Sequence, residues 1–306
     1  MKFITKLGFA ALLTATATTA SVAQMYGGLQ VGYSMPTASG VYSGSNPAGT
    51  AAAGTSTTGT SAAKVTENIY GTSGTGLSFG LNAGYMFSEH FGFDLGASYN
   101  IASPVVTASQ DFTTALAPGI TQATKESFTT SGTQIRLTPS LVVSAGNEGI
   151  KPYGRFGVVI PVSGETITEY SNVSVVTTPL GATTYTTKGK TKTDGQLSVG
   201  FNTAIGVNIG LGDKMTVFGE LALTTLTIKA KSSTTTEYSS DAPGRPKTLA
   251  DRSFSDNNTT YLDKLDSSSN TAGYATTFDT AKATNALALT ANYNSLGLNV
   301  GIRYKF

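Results

Sequence analysis

The sequence predicts an all-β fold, an eight-stranded antiparallel up-and-down transmembrane β-barrel. The first observation behind this prediction is the segment 295–306, where apolar residues alternate with glycine, amide and cationic residues. Successive side chains of a strand point to opposite faces, so this strand has one wholly apolar face. The second observation is that earlier segments repeat the alternation, with glycine gathered on the polar face. An apolar outside around a polar inside is what a barrel in lipid needs.

The predicted strands follow from this alternation in chain order. Pro36 ends the first strand, because proline cannot donate to a strand ladder. The second and third strands are joined by a tight turn at 88–90 and form a hairpin. The eight strands are predicted at 25–35, 75–87, 91–101, 132–143, 151–162, 195–211, 215–228 and 295–306.

The connections between these strands alternate between long and short. The second long connection has its predicted tip at Ala117, Pro118 and Gly119. This asymmetry is typical of an outer-membrane barrel with long extracellular loops and short periplasmic turns. The long loops are predicted at about 37–74, 102–131, 163–194 and 229–291.

The strand count has one alternative, because the segment 285–291 also alternates. Its Leu287 and Leu289 are out of phase with Leu296, so we interpret it as an extension of the last strand beyond a bulge. A ten-stranded barrel remains the alternative.

The start of the chain has the features of a secretory signal peptide at 1–23. Lys2 and Lys6 precede a short apolar stretch, and small residues come before Gln24. The stretch is too short to span a bilayer. We therefore expect an exported chain, with a single barrel domain at 24–306.

Composition excludes several classes of protein. The chain has no cysteine, which excludes a disulfide scaffold and a lipid-modified cysteine. Without Lys2 and Lys6 the 20 basic residues become 18, which balance the 18 acidic residues. A neutral chain argues against a nucleic-acid partner. A soluble lipocalin-like barrel is disfavoured, because one face of nearly every strand carries no charge.

The chain resembles the outer-membrane protein β-barrel domain family, which includes the OmpA-type transmembrane domain and small barrels such as OmpX. The resemblance lies in the final strand 298–306, the hairpin 80–97 and the segment 151–157. It implies a bacterial outer-membrane location, with outer-membrane lipid and lipopolysaccharide as surroundings. It also implies that Tyr304 and Phe306 form part of the signal read by the barrel-assembly machinery. A role in tethering the cell wall is not implied, since the likeness to the OmpA type ends at strand eight.

The inward faces of the strands carry six charged residues, and buried charges must pair. We expect Glu220 to pair with Arg155 or Arg136. Asp94 is expected to pair with Arg303 or Lys305. The favoured interpretation is that these residues fill the barrel; the alternative is a gate that re-forms to open a narrow pore. The six are Asp94, Arg136, Arg155, Glu220, Arg303 and Lys305.

An enzymatic function is not expected. The lone histidine, His90, lies in a predicted turn beside Glu89. The sequence has no metal-ligand spacing, nucleophile elbow or phosphate-binding loop, and no cofactor is predicted.

The long loops make up about half of the exported chain, and long loops usually carry function. We therefore predict a surface-exposed barrel whose loops contact an extracellular ligand, or alternatively a narrow diffusion channel. The fourth loop has enough apolar content to bind or to cover the mouth. Its apolar and aromatic residues are Tyr238, Phe254, Tyr261, Leu262, Leu265, Tyr274 and Phe278.

Overall fold

Strands dominate the computed structural model, which describes residues 24–37, 53–145 and 149–306. The predicted signal peptide lies outside the described residues, as does part of the predicted first loop. Helical structure in the described part is limited to a 3-10 turn at Leu249–Asp251 and one α-helical turn at Phe254–Asn257. The strands are β1 Gln24–Pro36, β2 Thr55–Thr60, β3 Lys64–Asn68, β4 Gly76–Met86, β5 Phe91–Ala117, β6 Ile120–Ser144, β7 Ile150–Thr178, β8 Gly181–Gly195, β9 Gly200–Leu211, β10 Met215–Thr225, β11 Thr227–Ser240, β12 Asn258–Leu262, β13 Thr284–Leu287, β14 Thr290–Asn292 and β15 Ser295–Lys305.

Eight of these strands form a closed antiparallel ring. The ring runs β1-β4-β5-β6-β7-β9-β10-β15 and returns to β1. Val31 of β1 lies opposite Val300 on one side and Phe79 on the other. Closure leaves no ring strand with an unpaired edge, which is how a sheet avoids exposed hydrogen-bonding groups.

The prediction of an all-β fold is confirmed, but a count of eight strands is wrong for the sheet as a whole. The described residues form a sheet of fifteen strands. That sheet is also mixed, because β2 pairs with β5 and β12 pairs with β13 in parallel. The additional strands lie beyond one end of the ring.

The two faces of the ring differ in polarity. Leu81, Ile205 and Leu298 point outward and are 60%, 65% and 52% exposed. Asp94 and Glu220 point inward and are fully buried. The predicted alternation therefore separates an apolar outer surface from a polar core.

Strands β5, β6 and β7 continue past the ring and build an extension. The segments 102–131 and 163–194 were predicted as loops, and the structure shows strands across most of both. The predicted tip of the first is confirmed: Pro118 and Gly119 separate β5 from β6, and Gly119 has a φ of +74°. Register shifts lie between Ala102 and Val105, where β5 leaves the ring. Bulges of this kind increase local twist.

The extension is an open sheet in the order β3-β2-β5-β6-β7-β8-β11-β12-β13. β7 pairs with β9 inside the ring and with β8 from Thr166 onward. The predicted strand at 215–228 divides into β10 and β11, and β11 continues to Ser240 in the range predicted as the fourth loop. The sheet therefore forks where the ring ends.

The segment 285–291 follows the prediction only in part. Thr227 lies opposite Asn292 in the same register that sets Thr224 opposite Ser295, so β14 continues β15 without a bulge. The side chain of Asn294 accepts a 2.8 Å hydrogen bond from the Leu226 amide at the break between β14 and β15. The earlier part, β13, pairs instead with β12.

Candidate functional site

The centre of the ring is occupied by an ion triad. Arg155 Nη2 lies 2.7 Å from Glu220 Oε1, and Arg155 Nη1 lies 3.5 Å from Asp94 Oδ1. All three side chains are at most 6% exposed. The expected pairing of Glu220 with Arg155 is present in the structure.

Neutral donors also bind both carboxylates. Glu220 accepts hydrogen bonds from Tyr153 OH at 2.9 Å and Asn299 Nδ2 at 3.1 Å. Asp94 Oδ2 accepts from Tyr26 OH and from Asn82 Nδ2, both at 2.8 Å. Buried carboxylates need such partners, since charge removed from water is otherwise costly. The sequence analysis did not identify these four donors.

The expected pairing of Asp94 with Arg303 or Lys305 is wrong. Arg303 lies 3.9 Å from the centre of the Phe218 ring and 4.9 Å from that of Tyr153. It donates to Asn208 Oδ1 at 2.7 Å. Tyr26 stands between the two charges, because its ring is 5.5 Å from Arg303 while its hydroxyl binds Asp94.

The remaining two predicted site residues do not join the triad. Arg136 is buried, and its Nε donates to Gln134 Oε1. Lys305 is half-buried at the end of β15, where its amide donates to Lys214 O at 2.8 Å.

Inward aromatic rings lie against inward glycines on the neighbouring strand. Tyr26 is directly opposite Gly84, and a Cβ on that glycine would lie 2.2 Å from the tyrosine ring. Tyr153 is opposite Gly206 in the same way. Phe218 is opposite Gly301, the third case. The inward glycines therefore make room for the rings that surround the charges, and strand register is the signal that would have identified them.

The predicted terminal aromatics are adjacent on the outer surface. Tyr304 and Phe306 make an edge contact with ring centres 5.3 Å apart. The Phe306 amide donates to Met25 O at 3.0 Å, which ties the chain end to the first strand.

A second candidate site lies in the extension. Of the aromatic residues predicted in the fourth loop, Phe254, Tyr274 and Phe278 are exposed. Tyr261 is buried, and Tyr238 packs under Arg252, whose guanidinium lies 4.4 Å from the ring centre. The predicted range of the fourth loop therefore presents these three aromatic side chains to solvent.

The exposed face of the extension also carries a row of alternating charges. Lys190 of β8 lies 3.2 Å from Glu169 on β7 and 3.6 Å from Glu237 on β11. The hydrogen bond that Lys190 donates to Glu169 and the charge of Glu237 raise the pKa of Lys190. Exposed pairs of this kind contribute little to stability but neutralise the surface.

His90 is exposed, and its Nδ1 lies 3.1 Å from Ser144 O. No group of three or more histidine, aspartate or glutamate side chains in the described residues is placed to hold a metal ion. No helix in the described ranges is long and apolar enough to cross a membrane.

Comparisons with known proteins do not assign the chain to a family. No protein-family model matches its sequence, and no curated protein sequence matches it either. The fold and the ring interior define an all-β protein with a closed eight-stranded ring around a buried ion triad.

Proposed function

We propose that this protein is an integral outer-membrane β-barrel protein whose extension serves as a surface-exposed binding or adhesion platform. The observation that carries the proposal is the apolar outer surface of the closed ring. Outward residues form rows such as Leu298, Leu221 and Ile205 across three neighbouring strands. A soluble barrel has the reverse arrangement, with charge outside and apolar residues within.

The dimensions of this apolar belt fit a bilayer. On β15 it runs from Leu296 to Tyr304, which at about 3.3 Å per residue is about 26 Å along the strand. Tilting by about 40° lowers its height to about 20 Å, near the roughly 25 Å band of outer-membrane barrels. No outward position of the ring strands within this belt carries a charged residue.

The orientation follows from the two ends of the ring. One end has short connections at 87–90 and 212–214, and the other end has the extension. Outer-membrane barrels keep short turns in the periplasm and long segments outside. On this basis the extension is extracellular and the signal peptide directs export.

Tryptophan fluorescence tests the membrane location, because the chain has no tryptophan of its own. Leu221→Trp places a probe at the middle of the belt, and Leu180→Trp places one at the fully exposed turn between β7 and β8. In vesicles of brominated phosphatidylcholine we expect strong quenching of the first probe and none of the second. Equal fluorescence of the two variants would contradict the proposal.

The exposed aromatic side chains support a binding role for the extension, since aromatic residues are enriched in interfaces. We expect the triple variant Phe254→Ser, Tyr274→Ser, Phe278→Ser to reduce retention of expressing cells on immobilised matrix proteins. Leu180→Ser is the matched control, because it removes an exposed apolar side chain elsewhere on the extension. Equal retention of the triple variant and the control would remove this part of the proposal.

A narrow diffusion channel is the second candidate function. It is favoured by a cavity of about 60 Å³ inside the ring and by a smaller cavity at the end of the ring that carries the extension. Arg136 lines both cavities. Arg155 belongs to the ion triad and also lines the larger cavity, so the triad lies next to that cavity. Conduction therefore requires rearrangement of the triad.

A further inference from the structure

The buried charges of the ring do not balance. Its interior holds the cations Arg136, Arg155 and Arg303 and the carboxylates Asp94 and Glu220. Three positive charges against two negative ones leave one positive charge in excess. Charges in a low-dielectric interior need compensation, so this excess calls for an anion.

Two of the three buried arginines of the ring, Arg136 and Arg303, pair with no carboxylate in the described residues, and Arg136 lines a cavity. Both carboxylates bind Arg155, and Arg303 packs among aromatic rings. Arg136 is 7% exposed and makes no ion pair with any carboxylate in the described part of the chain. It lies at a bulge, because Ile135 pairs with Ser163 while Arg136 pairs with Pro161. The extra residue of this bulge is Val162 of β7, while Arg136 points into the ring by the regular alternation of β6.

A polar cavity joins Arg136 to Arg155. Its volume is about 60 Å³, and its lining includes both guanidinium side chains with Ser98 and Asn100. Arg155 Nε has no hydrogen-bond partner although it is buried. Two positively charged groups, one with an unused donor, thus line the same enclosed space.

The cavity also contains unpaired acceptors. The side-chain oxygens of Gln30 and Asn202 are buried in its wall without a hydrogen-bond donor. A bare anion would not satisfy them, but its water shell would, since each water donates two hydrogen bonds. About four water-sized occupants fit in this volume at about 10–15 Å³ each. An anion with two or three waters therefore satisfies both donors and acceptors.

We infer that the ring interior binds a halide-sized monovalent anion, with chloride as the physiological class of ligand, between Arg136 and Arg155. The single excess charge matches a monovalent ion. Glu220 and Asp94 on the far side of Arg155 would repel an ion of higher charge, such as phosphate. A smaller cavity of about 20 Å³ lies beside Arg136 at the end of the ring that carries the extension, with Ser34 and Thr133 among its lining residues.

The anion site lies in the ring interior, and its existence does not depend on whether the ring is in a membrane. A ring in water would hold the same anion, so failure of the tryptophan experiment leaves the anion site standing. Failure of the anion experiment leaves the proposed function standing.

Bromide tests the site directly because it is a halide and an anomalous scatterer. Crystals of the full chain, purified in detergent and soaked in sodium bromide, should show an anomalous peak between the Arg136 and Arg155 guanidinium groups. Arg136→Gln should lose the peak, and Lys305→Gln, which removes a positive charge outside the cavity, should keep it. Density for water alone at this position in the unsubstituted protein would overturn the inference.

Thermal unfolding gives a second test that does not depend on crystals. Replacing gluconate, which is too large for the cavity, by chloride at equal ionic strength should raise the unfolding midpoint by roughly 2–4 °C. The rise should be absent in Arg136→Gln and present in Lys305→Gln. If Arg136→Gln does not fold, the difference between the unfolding midpoints of the unsubstituted protein in chloride and in gluconate tests the site. Identical midpoints in chloride and gluconate would refute the site.

Discussion

Buried ionic residues decide the properties of the ring interior. Arg155 pairs with two carboxylates, and four neutral donors also bind Asp94 and Glu220. Removing one member leaves its buried partners without compensation. Loss of one member therefore affects the whole triad.

Arg155→Met should lower the free energy of unfolding by about 3–5 kcal/mol, because it leaves two buried carboxylates without their cation. Urea titration of the folded protein measures this change. Lys192→Gln is the control, since Lys192 and Glu165 form an exposed pair, and it should remain near wild type. An Arg155→Met variant as stable as this control would show that the triad is not structurally important.

Tyr170 in the extension makes a pH-dependent contribution. Burial, followed by the nearby Glu126 carboxylate, raises the pKa of Tyr170 from 10.0 to about 12. A raised folded-state pKa gives stability that is present below pH 10 and is lost as pH rises to about 12. Tyr170→Phe should therefore lose less stability than wild type between pH 10 and pH 12. The free energies of unfolding of both proteins at pH 10 and pH 12 test this expectation. Equal losses in the two proteins would contradict the raised pKa of Tyr170.

Strands of the ring depend on glycine differently on their two faces. Gly301 faces inward, and a Cβ there would lie 2.2 Å from Leu29 O and 2.6 Å from the Phe218 ring. Gly219 faces outward with open space around its Cβ position. The same residue type is therefore required on one face and replaceable on the other.

Gly301→Ala and Gly219→Ala form a matched pair. The first should destabilise the ring by about 1–3 kcal/mol through overpacking against backbone and ring. The second should be neutral or stabilise by up to about 1 kcal/mol, because alanine restricts the unfolded chain. Urea unfolding midpoints measure both. Equal destabilisation by the two substitutions would show that the faces are wrongly assigned.

The strands also change character where they leave the ring. In the extension both faces meet polar surroundings or a small core, such as the contact of Phe128 and Tyr170 with ring centres 4.9 Å apart. Hydroxyl pairs such as Thr130 with Thr168 replace apolar rows. The extension is therefore held by ladder pairing more than by an apolar face.

The closed ring and the open sheet differ in surface character, and under the proposed function they are the membrane anchor and the binding platform. The ring encloses its polar groups and exposes apolar ones, whereas the extension exposes charged pairs and aromatic side chains. This division is consistent with a protein that sits in lipid at one end and in water at the other. The filled interior favours the platform over transport.

Planar-bilayer conductance tests that preference. We expect no discrete steps from the refolded wild-type protein, because the triad fills the ring. Glu220→Ala should lower stability without conductance if the triad only fills the core. Discrete steps from wild type, or steps that appear in Glu220→Ala, would instead support the narrow channel with the triad as its gate.

The sequence was sufficient to predict the features that depend on a difference in polarity between the two faces of a strand. Alternation predicted the ring strands and their inward charges, because one face had to be apolar and the other polar. The turn signal of proline followed by glycine predicted the tip at Pro118 and Gly119. The pairing of Arg155 with Glu220 could also be predicted, because both residues lie at a similar distance from the short-turn ends of their predicted strands. The predicted export, location and assembly signal remain predictions.

Tertiary structure alone decided the rest. Threonine-rich and serine-rich segments give no contrast between faces, so the strands of the extension were predicted as loops. The partner of Asp94 depends on ring closure, which places Tyr26 between Asp94 and Arg303. Arg136 has no carboxylate partner in the described residues because both carboxylates of the ring interior meet Arg155 instead. Which side chains meet inside a closed ring depends on the curvature of the sheet and on the register between distant strands. The alternation of residues along one strand contains no information about either.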